Sequence, residues 1–169
     1  MTKRNVILLT IAVFSFMACQ NAQKPEKENT LKQAVKSTGS VLNAKDVDFT
    51  LAKNYFVNNT VTKLENPKIE TQERFDEIFG TAALMGDNGK PTIIDFSKQN
   101  VLAVVLPETD RQTEIYPVSL QKDEKGEILL TYEVKVGQKQ TFTIRPSFAV
   151  VIDKSEKGNI RLNEIKLLK

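Results

Sequence analysis

The sequence predicts an α+β domain that consists mostly of antiparallel β-sheet with one packed α-helix. Residues 101–106 form an apolar run that is too short for a helix and suits a strand covered on both faces. Residues 128–134 carry large apolar side chains at every second position, the pattern of a strand with one buried face. Only residues 71–80 combine a capping residue, helical spacing and a stop signal. We therefore expect several strands around a single helix.

The predicted helix has recognisable signals at both ends. Thr71 is expected to cap its N-terminus, Glu73 favours the helix dipole in the first turn, and Gly80 is expected to end it. One face carries three large apolar side chains, Phe75, Ile78 and Phe79. We expect this face to pack on one alternate set of residues of the central strand, either Val101, Ala103 and Val105 or the residues between them.

Short connections separate the remaining apolar segments, so most neighbouring strands are expected to be antiparallel. A short strand is predicted at residues 61–64, and hairpin turns at residues 123–126 and at Gly137, with Gly126 at a positive φ. Pro117 cannot donate a hydrogen bond to a sheet and predicts a bulge or a sheet edge. We expect a meander that either closes as a barrel or packs as a sandwich.

The N-terminus has the organisation of a secretory signal that ends at a cysteine. Lys3 and Arg4 precede an apolar run at residues 6–16, which is shorter than the roughly 20 residues of a spanning helix. Ala18 stands directly before Cys19, and this arrangement resembles a bacterial lipobox of the looser kind found in Bacteroidetes. The resemblance implies that Cys19 is lipidated and becomes the mature N-terminus. The alternative is an ordinary secretory signal with a chance cysteine at its end.

Three segments are expected along the chain: a lipoprotein signal peptide at residues 1–18, the lipidated cysteine with a flexible tether at residues 19–45, and one globular domain at residues 46–169. The tether is polar and has too few large apolar residues to fold. Acyl chains such as palmitate would hold the protein to a membrane, firmly if there are two or more. The expected location is the cell envelope, with attachment to the outer membrane.

Composition excludes several functional classes. Lys3 and Arg4 are two of the 24 basic residues, so without the signal the chain is nearly neutral and nucleic acid is not an expected partner. Histidine is absent and Cys19 is the only cysteine, which excludes a disulfide framework, Cys/His zinc sites and any Ser-His or Cys-His catalytic pair within the chain. We expect no cofactor, no metal and no enzymatic activity.

Four segments resemble a known domain. They are I-x-T-Q-E-x-F at residues 69–75, I-D-F-S-K at 94–98, V-L-A-V at 101–104, and a T-x-x-P element at 143–146. Their order is similar to that in the C-terminal domain of the PrcB subunit of the dentilisin protease complex, over about residues 69–153. The resemblance implies a non-enzymatic domain that assists or stabilises an exported protein, and it supplies no catalytic residues.

Asp95 is the strongest single candidate for a reactive group, because it lies beside Phe96 just before the central strand. Catalysis would require a second carboxylate, such as Glu108 or Asp110, across a cleft. The simpler interpretation is a turn carboxylate that accepts hydrogen bonds from nearby backbone N–H groups.

Other side chains also allow two interpretations. Arg111 and Arg145 could clamp an anion, or they could form surface ion pairs worth under about 1 kcal/mol each. Tyr55, Tyr116 and Tyr132 could stack on sugars, or they could pack as half-buried residues of the sheets.

Two functional classes remain. The first is a protein-interaction module that binds, stabilises or inhibits another envelope protein, for example a protease. Its partner is expected to dock on residues 80–91, with Leu84 and Met85 as anchors and Arg111 at the rim, because large apolar side chains are unusual between loop glycines. The same two side chains could instead fold back to plug the open end of the sheet. The second class is a lipoprotein that binds a small ligand or a glycan.

Overall fold

The computed structural model describes residues 44–82 and 89–168 of the chain. Within these ranges the chain forms ten strands and one helix. In order they are β1 (Lys45–Asp46), β2 (Thr50–Leu51), β3 (Tyr55–Val57), β4 (Lys68–Ile69), α1 (Gln72–Ile78), β5 (Phe79–Thr81), β6 (Gln99–Val105), β7 (Thr109–Lys122), β8 (Ile128–Ile144), β9 (Ser147–Asp153) and β10 (Ile160–Leu168). Cys19, the predicted tether as far as residue 43, Leu84 and Met85 lie outside the described residues.

Two four-stranded sheets form most of the domain. The outer sheet has the strand order β1-β7-β8-β10, and the central sheet has the order β2-β9-β6-β4. Side chains from both sheets share one buried cluster, so the sheets pack face to face as a sandwich and do not close as a barrel. The predicted α+β class, mostly antiparallel with one packed helix, is confirmed.

The pairing of β8 with β10 is the parallel exception among the strand pairs of the described residues. The chain leaves the outer sheet after β8, forms β9 in the central sheet, and returns as β10 beside β8. Two parallel strands cannot be joined by a tight turn, and the passage through the central sheet supplies the longer connection that this pair requires. The predicted meander therefore continues only through the β7–β8 hairpin.

Residues of β6 alternate between two buried clusters. Leu102 and Val104 face the outer sheet, whereas Val101 and Ala103 face α1. All four are buried, because the central sheet has the outer sheet on one face and the helix on the other. The predictions that this strand is covered on both faces, and that the helix packs on one alternate set of its residues, here Val101 and Ala103, are confirmed.

The start of α1 follows the prediction and its end does not. The hydroxyl of Thr71 accepts a hydrogen bond from the Arg74 N–H at 3.2 Å, as an N-cap should. The helix ends at Ile78, and Phe79 takes an extended conformation as the first residue of β5. Gly80 is therefore a strand residue paired with Phe56, and a Cβ built on it would lie 2.4 Å from the Phe56 ring. The glycine makes room for that ring.

Three further expectations about strands need correction. Residues 61–64 form no strand. Gly137 does not turn the chain, because β8 continues through it and the mismatch appears as register shifts against β7. The central strand does not coincide with residues 101–106: β6 runs from Gln99 to Val105, so Asn100 is its second residue, pairs with Ile152 and is buried. The pattern of apolar and polar residues in the sequence does not reveal that a polar side chain is buried within a strand.

Pro117 and Gly126 behave as predicted. The register of β7 against β8 shifts between Pro117 and Ser119, which is a bulge. Among the strands that the structure describes, the other side of β7 pairs with β1 only at Gln121 and Lys122, so Pro117 also lies on an edge without a neighbour there. Gly126 has φ of 82° in the turn between β7 and β8.

A comparison of two glycines tests the packing of this turn. Both have positive φ, but a Cβ on Gly158 would lie 2.0 Å from the Gly126 carbonyl oxygen, whereas a Cβ on Gly126 would meet nothing within 4 Å. We expect Gly126→Ala to cost about 1–2 kcal/mol from backbone conformation, and Gly158→Ala to cost a further 1–3 kcal/mol, approximately, from the clash. Urea unfolding of both variants measures the difference. Equal losses would mean that the turns do not approach each other so closely.

Candidate functional site

An open cleft lies between the edge of the outer sheet and the edge of the central sheet. Its volume is about 360 Å³. It is lined by residues 51–55, by residues 115–117 of β7, by residues 147–149 of β9, and by Phe79. A second cavity, beside Ala44, has only about 40 Å³ and could hold little more than water. The larger cleft is the better candidate for a binding site.

One wall of the cleft is held by an aromatic cluster. The Tyr55 ring packs edge-on against Phe75 with centroids 4.9 Å apart, and the Tyr55 hydroxyl donates to the Thr92 carbonyl at 2.7 Å. The Phe79 ring lies 5.1 Å from that of Phe75. Burial, with the nearby Asp76 carboxylate as a smaller cause, raises the pKa of Tyr55. These rings are engaged with one another, which fixes the shape of this wall.

The opposite wall consists of sheet residues whose rings also have partners. Phe148 lies 5.9 Å from the Tyr132 ring inside the sandwich. The ammonium of Lys135 lies over the Tyr116 ring, 4.8 Å from its centre, which is a cation–π contact. Tyr132 belongs to the cluster between the sheets and Tyr55 packs against the cluster under α1, as expected of packing residues, whereas Tyr116 lines the open cleft.

We expect the domain to lose stability at alkaline pH when the Tyr132 hydroxyl loses its proton. Two causes raise the pKa of Tyr132 from 10.0 to about 12. The larger is burial, and the second is the hydrogen bond that its hydroxyl donates to Glu164 at 3.1 Å. The folded state binds this proton more tightly than the unfolded state does. The stabilisation that this proton gives the folded state is therefore complete below pH 10 and is lost between pH 10 and pH 12. We expect the free energy of unfolding to fall by roughly 2–3 kcal/mol across that interval.

The matched variant is Tyr132→Phe, which removes the titrating group and keeps the ring. Lysines lose their protons in the same pH range, so the decisive quantity is the difference between the two proteins in urea unfolding. An equal decline in both would assign the effect to the lysines.

Asp95 is a turn carboxylate. It accepts hydrogen bonds from the N–H of Ser97 at 3.0 Å and from its hydroxyl at 2.5 Å. These bonds, the one from the hydroxyl above all, lower the pKa of Asp95. Glu108 and Asp110 follow β6 whereas Asp95 precedes it, so a strand of seven residues, about 20 Å long, separates them. The structure does not bring these carboxylates together.

The two candidate arginines have separate partners. Arg145 is mostly covered, and its guanidinium lies 3.3 Å from the Glu108 carboxylate, which also accepts a hydrogen bond from the Thr143 hydroxyl. Arg111 is exposed on β7 and donates to the Gly137 carbonyl at 3.4 Å. Arg145 is therefore an ion-pair residue, and Arg111 is not among the residues that line the cleft.

Sequence reasoning did not identify the apolar lining of the cleft. Leu51 lines it and is 38% exposed, whereas Phe56 and Ile93, which are 51% and 93% exposed, are not among the lining residues. Ile93 adjoins Thr92, whose N–H donates to the Lys53 carbonyl at 3.2 Å. The edge predicted from Pro117 was the one signal in the sequence that pointed to this place.

No group of three or more Cys, His or acidic side chains is positioned to hold a metal ion among the residues that the structure describes. Over the same residues, no helix is long and apolar enough to cross a membrane. No family model, curated protein or solved structure matches this chain.

Proposed function

We propose that this chain is a lipid-anchored protein of the cell envelope, without enzymatic activity, whose domain binds another exported protein. Attachment would occur through Cys19, with the acyl chains at the outer membrane. The domain would stabilise or inhibit its partner, for example a protease, as the resemblance to the PrcB domain implies. The partner would dock on the cleft between the two sheets.

The open cleft with an apolar lining is the observation that supports this proposal best. Leu51 lines the cleft and has more than a third of its surface in water. Ile115 and Phe148 continue the apolar lining inside the cleft. Apolar side chains that gather at one accessible place are typical of sites where proteins bind each other.

A small ligand or a glycan is the second candidate occupant. The cleft volume of about 360 Å³ is at the lower end of the range for small-molecule sites, and four aromatic residues line it. A sugar would need a free ring face, however, and the rings of Tyr55, Phe79, Tyr116 and Phe148 all contact other residues of the domain. This observation favours a protein partner.

Photo-crosslinking in the producing cells tests the proposal. A benzophenone amino acid is placed at Leu51 and, in a matched control, at Leu162, a leucine of β10 that is similarly exposed at 43%. We expect a discrete envelope protein to crosslink from position 51 and not from position 162. We also expect Leu51→Glu, and not Leu162→Glu, to weaken binding of that purified protein by about tenfold or more, because a charge would enter an apolar contact.

Crosslinking that is equal at both positions, or absent at position 51, would contradict the proposal. Specific binding of an oligosaccharide that Leu51→Glu abolishes, without a protein crosslink, would favour the second candidate.

A further inference from the structure

The side of the sandwich that carries the cleft is partly filled by the chain's own N-terminal segment. Lys45 and Asp46 pair with Lys122 and Gln121 of β7, and the Val47 N–H donates to the Leu120 carbonyl at 2.9 Å. A few residues later the same segment reaches the other sheet as β2, which pairs with β9. One extended segment thus bonds the edges of both sheets in turn.

The side chains of this segment show how an extended chain occupies the space between the two edges. Val47 is buried in the cluster between the sheets, and Phe49, two residues later, packs against the same cluster. Alternate residues therefore point into the sandwich while the backbone bonds to the sheet edges.

Over the described part of the chain, both edges continue beyond Leu51 without a neighbouring strand. Among the described residues, β7 pairs only with β8 from Thr109 to Ser119. On β9, the Ala149 carbonyl accepts from the Ala52 N–H at 2.9 Å, whereas Phe148 and Ser147 pair with β6 and with no other strand of residues 44–82 and 89–168. Unpaired edge groups of this kind can accept a further strand. The cleft lies between these two free stretches.

The lining of the cleft is suited to bury the apolar side chains of an added strand. Ile115 packs against the cluster between the sheets, and Phe148 belongs to that cluster, so the inner wall is apolar. The volume of about 360 Å³ suits side chains and not a folded domain. Pro117 has no N–H, so it limits pairing on one side and leaves residues 113–116 as the regular part of the free edge.

We propose that the partner contributes an extended segment with apolar residues at alternate positions, which adds as a strand to the free edge of β7 and buries those residues in the cleft. This inference rests on the proposed function and specifies the chemistry of the partner. Backbone hydrogen bonds would supply part of the affinity, and the spacing of the apolar residues would supply specificity.

Selection of random decapeptides displayed on phage, against the full chain with Cys19→Ala, tests the inference. We expect the selected peptides to carry large apolar residues two positions apart. In synthetic copies, N-methylation of the amides on one edge should weaken binding about tenfold or more, whereas N-methylation of the alternate set should be tolerated. Binding should fall similarly in Leu51→Glu and stay unchanged in Leu162→Glu.

Three results would overturn strand addition: no enrichment of alternating peptides, equal tolerance of both N-methylated sets, or a crosslink from position 51 to the chain's own N-terminal residues. If an envelope protein crosslinks at Leu51 while N-methylation has no effect, the domain remains an interaction module and only the binding mode is wrong. If peptides bind as strands but no envelope protein crosslinks, the proposed function is wrong and the edge is merely capable of pairing.

Discussion

Phe75→Ala is expected to destabilise the domain by about 3–5 kcal/mol, the range for removing a fully buried phenylalanine. Phe75 is 1% exposed and lies at the centre of the layer between α1 and the central sheet. Its ring contacts three others, with centroids at 4.9 Å from Tyr55, 5.1 Å from Phe79 and 5.8 Å from Phe96. Truncation would open a cavity against rings that cannot all move to fill it.

Urea unfolding of the purified domain measures this loss, with Phe142→Ala as the matched control. Phe142 lies in β8 and is 59% exposed, so its truncation should change the free energy of unfolding by no more than about 0.5 kcal/mol. A loss below about 1 kcal/mol for Phe75→Ala would mean that the helix does not pack as described. A loss at the upper end would remove much of the stability of an ordinary domain, which is about 5–15 kcal/mol.

Cys19→Ala is expected to move the protein from the membrane pellet to the soluble envelope fraction. The physical reason is that each buried methylene of an acyl chain contributes about 0.8 kcal/mol, and two or more chains hold a protein lastingly. Without the thiol no chain can be attached at this position. Fractionation after a high-salt wash, which removes proteins held only by charge, measures the change.

Incorporation of labelled palmitate is the companion measurement, and it should be lost in the same variant. If Cys19→Ala stays in the pellet to the same extent as the parent protein and still takes up label, the anchor is elsewhere. If it stays in the pellet without label, the interaction module itself, and not a lipid, holds the protein at the membrane.

Expectations based on burial proved reliable, because apolar periodicity reports how many faces of an element are covered. Both faces of β6 followed from residues 101–105, and the inner face of α1 followed from Phe75 and Ile78. Expectations based on glycine were less reliable. The sequence predicts a helix stop at Gly80 and a hairpin at Gly137, yet Gly80 accommodates the Phe56 ring and Gly137 lies within β8 near Gln112. A glycine marks a local demand on the backbone, and only tertiary contacts decide which demand it is.

The candidate site was harder to predict because it arises where distant segments meet. The lining residues Leu51, Tyr116 and Phe148 come from strands in two different sheets, and none of them belongs to a motif. Pro117 indicated an edge, but the sequence does not say which segments lie across from it. The strand order of the two sheets supplies that information.

The order in which the strands pair also affects how the chain can fold. Thr50 pairs with Val151, and β10 completes the outer sheet only after the chain has passed through the central one. Such non-local pairings give a high contact order, which is associated with folding in milliseconds to seconds. Folding is slow because long loops must close, at a cost in chain entropy, before the stabilising contacts can form. During synthesis from the N-terminus, neither sheet can be completed until the final third of the chain has emerged. A chain with this topology would remain unfolded for most of its synthesis, which is the state that a translocation channel can pass.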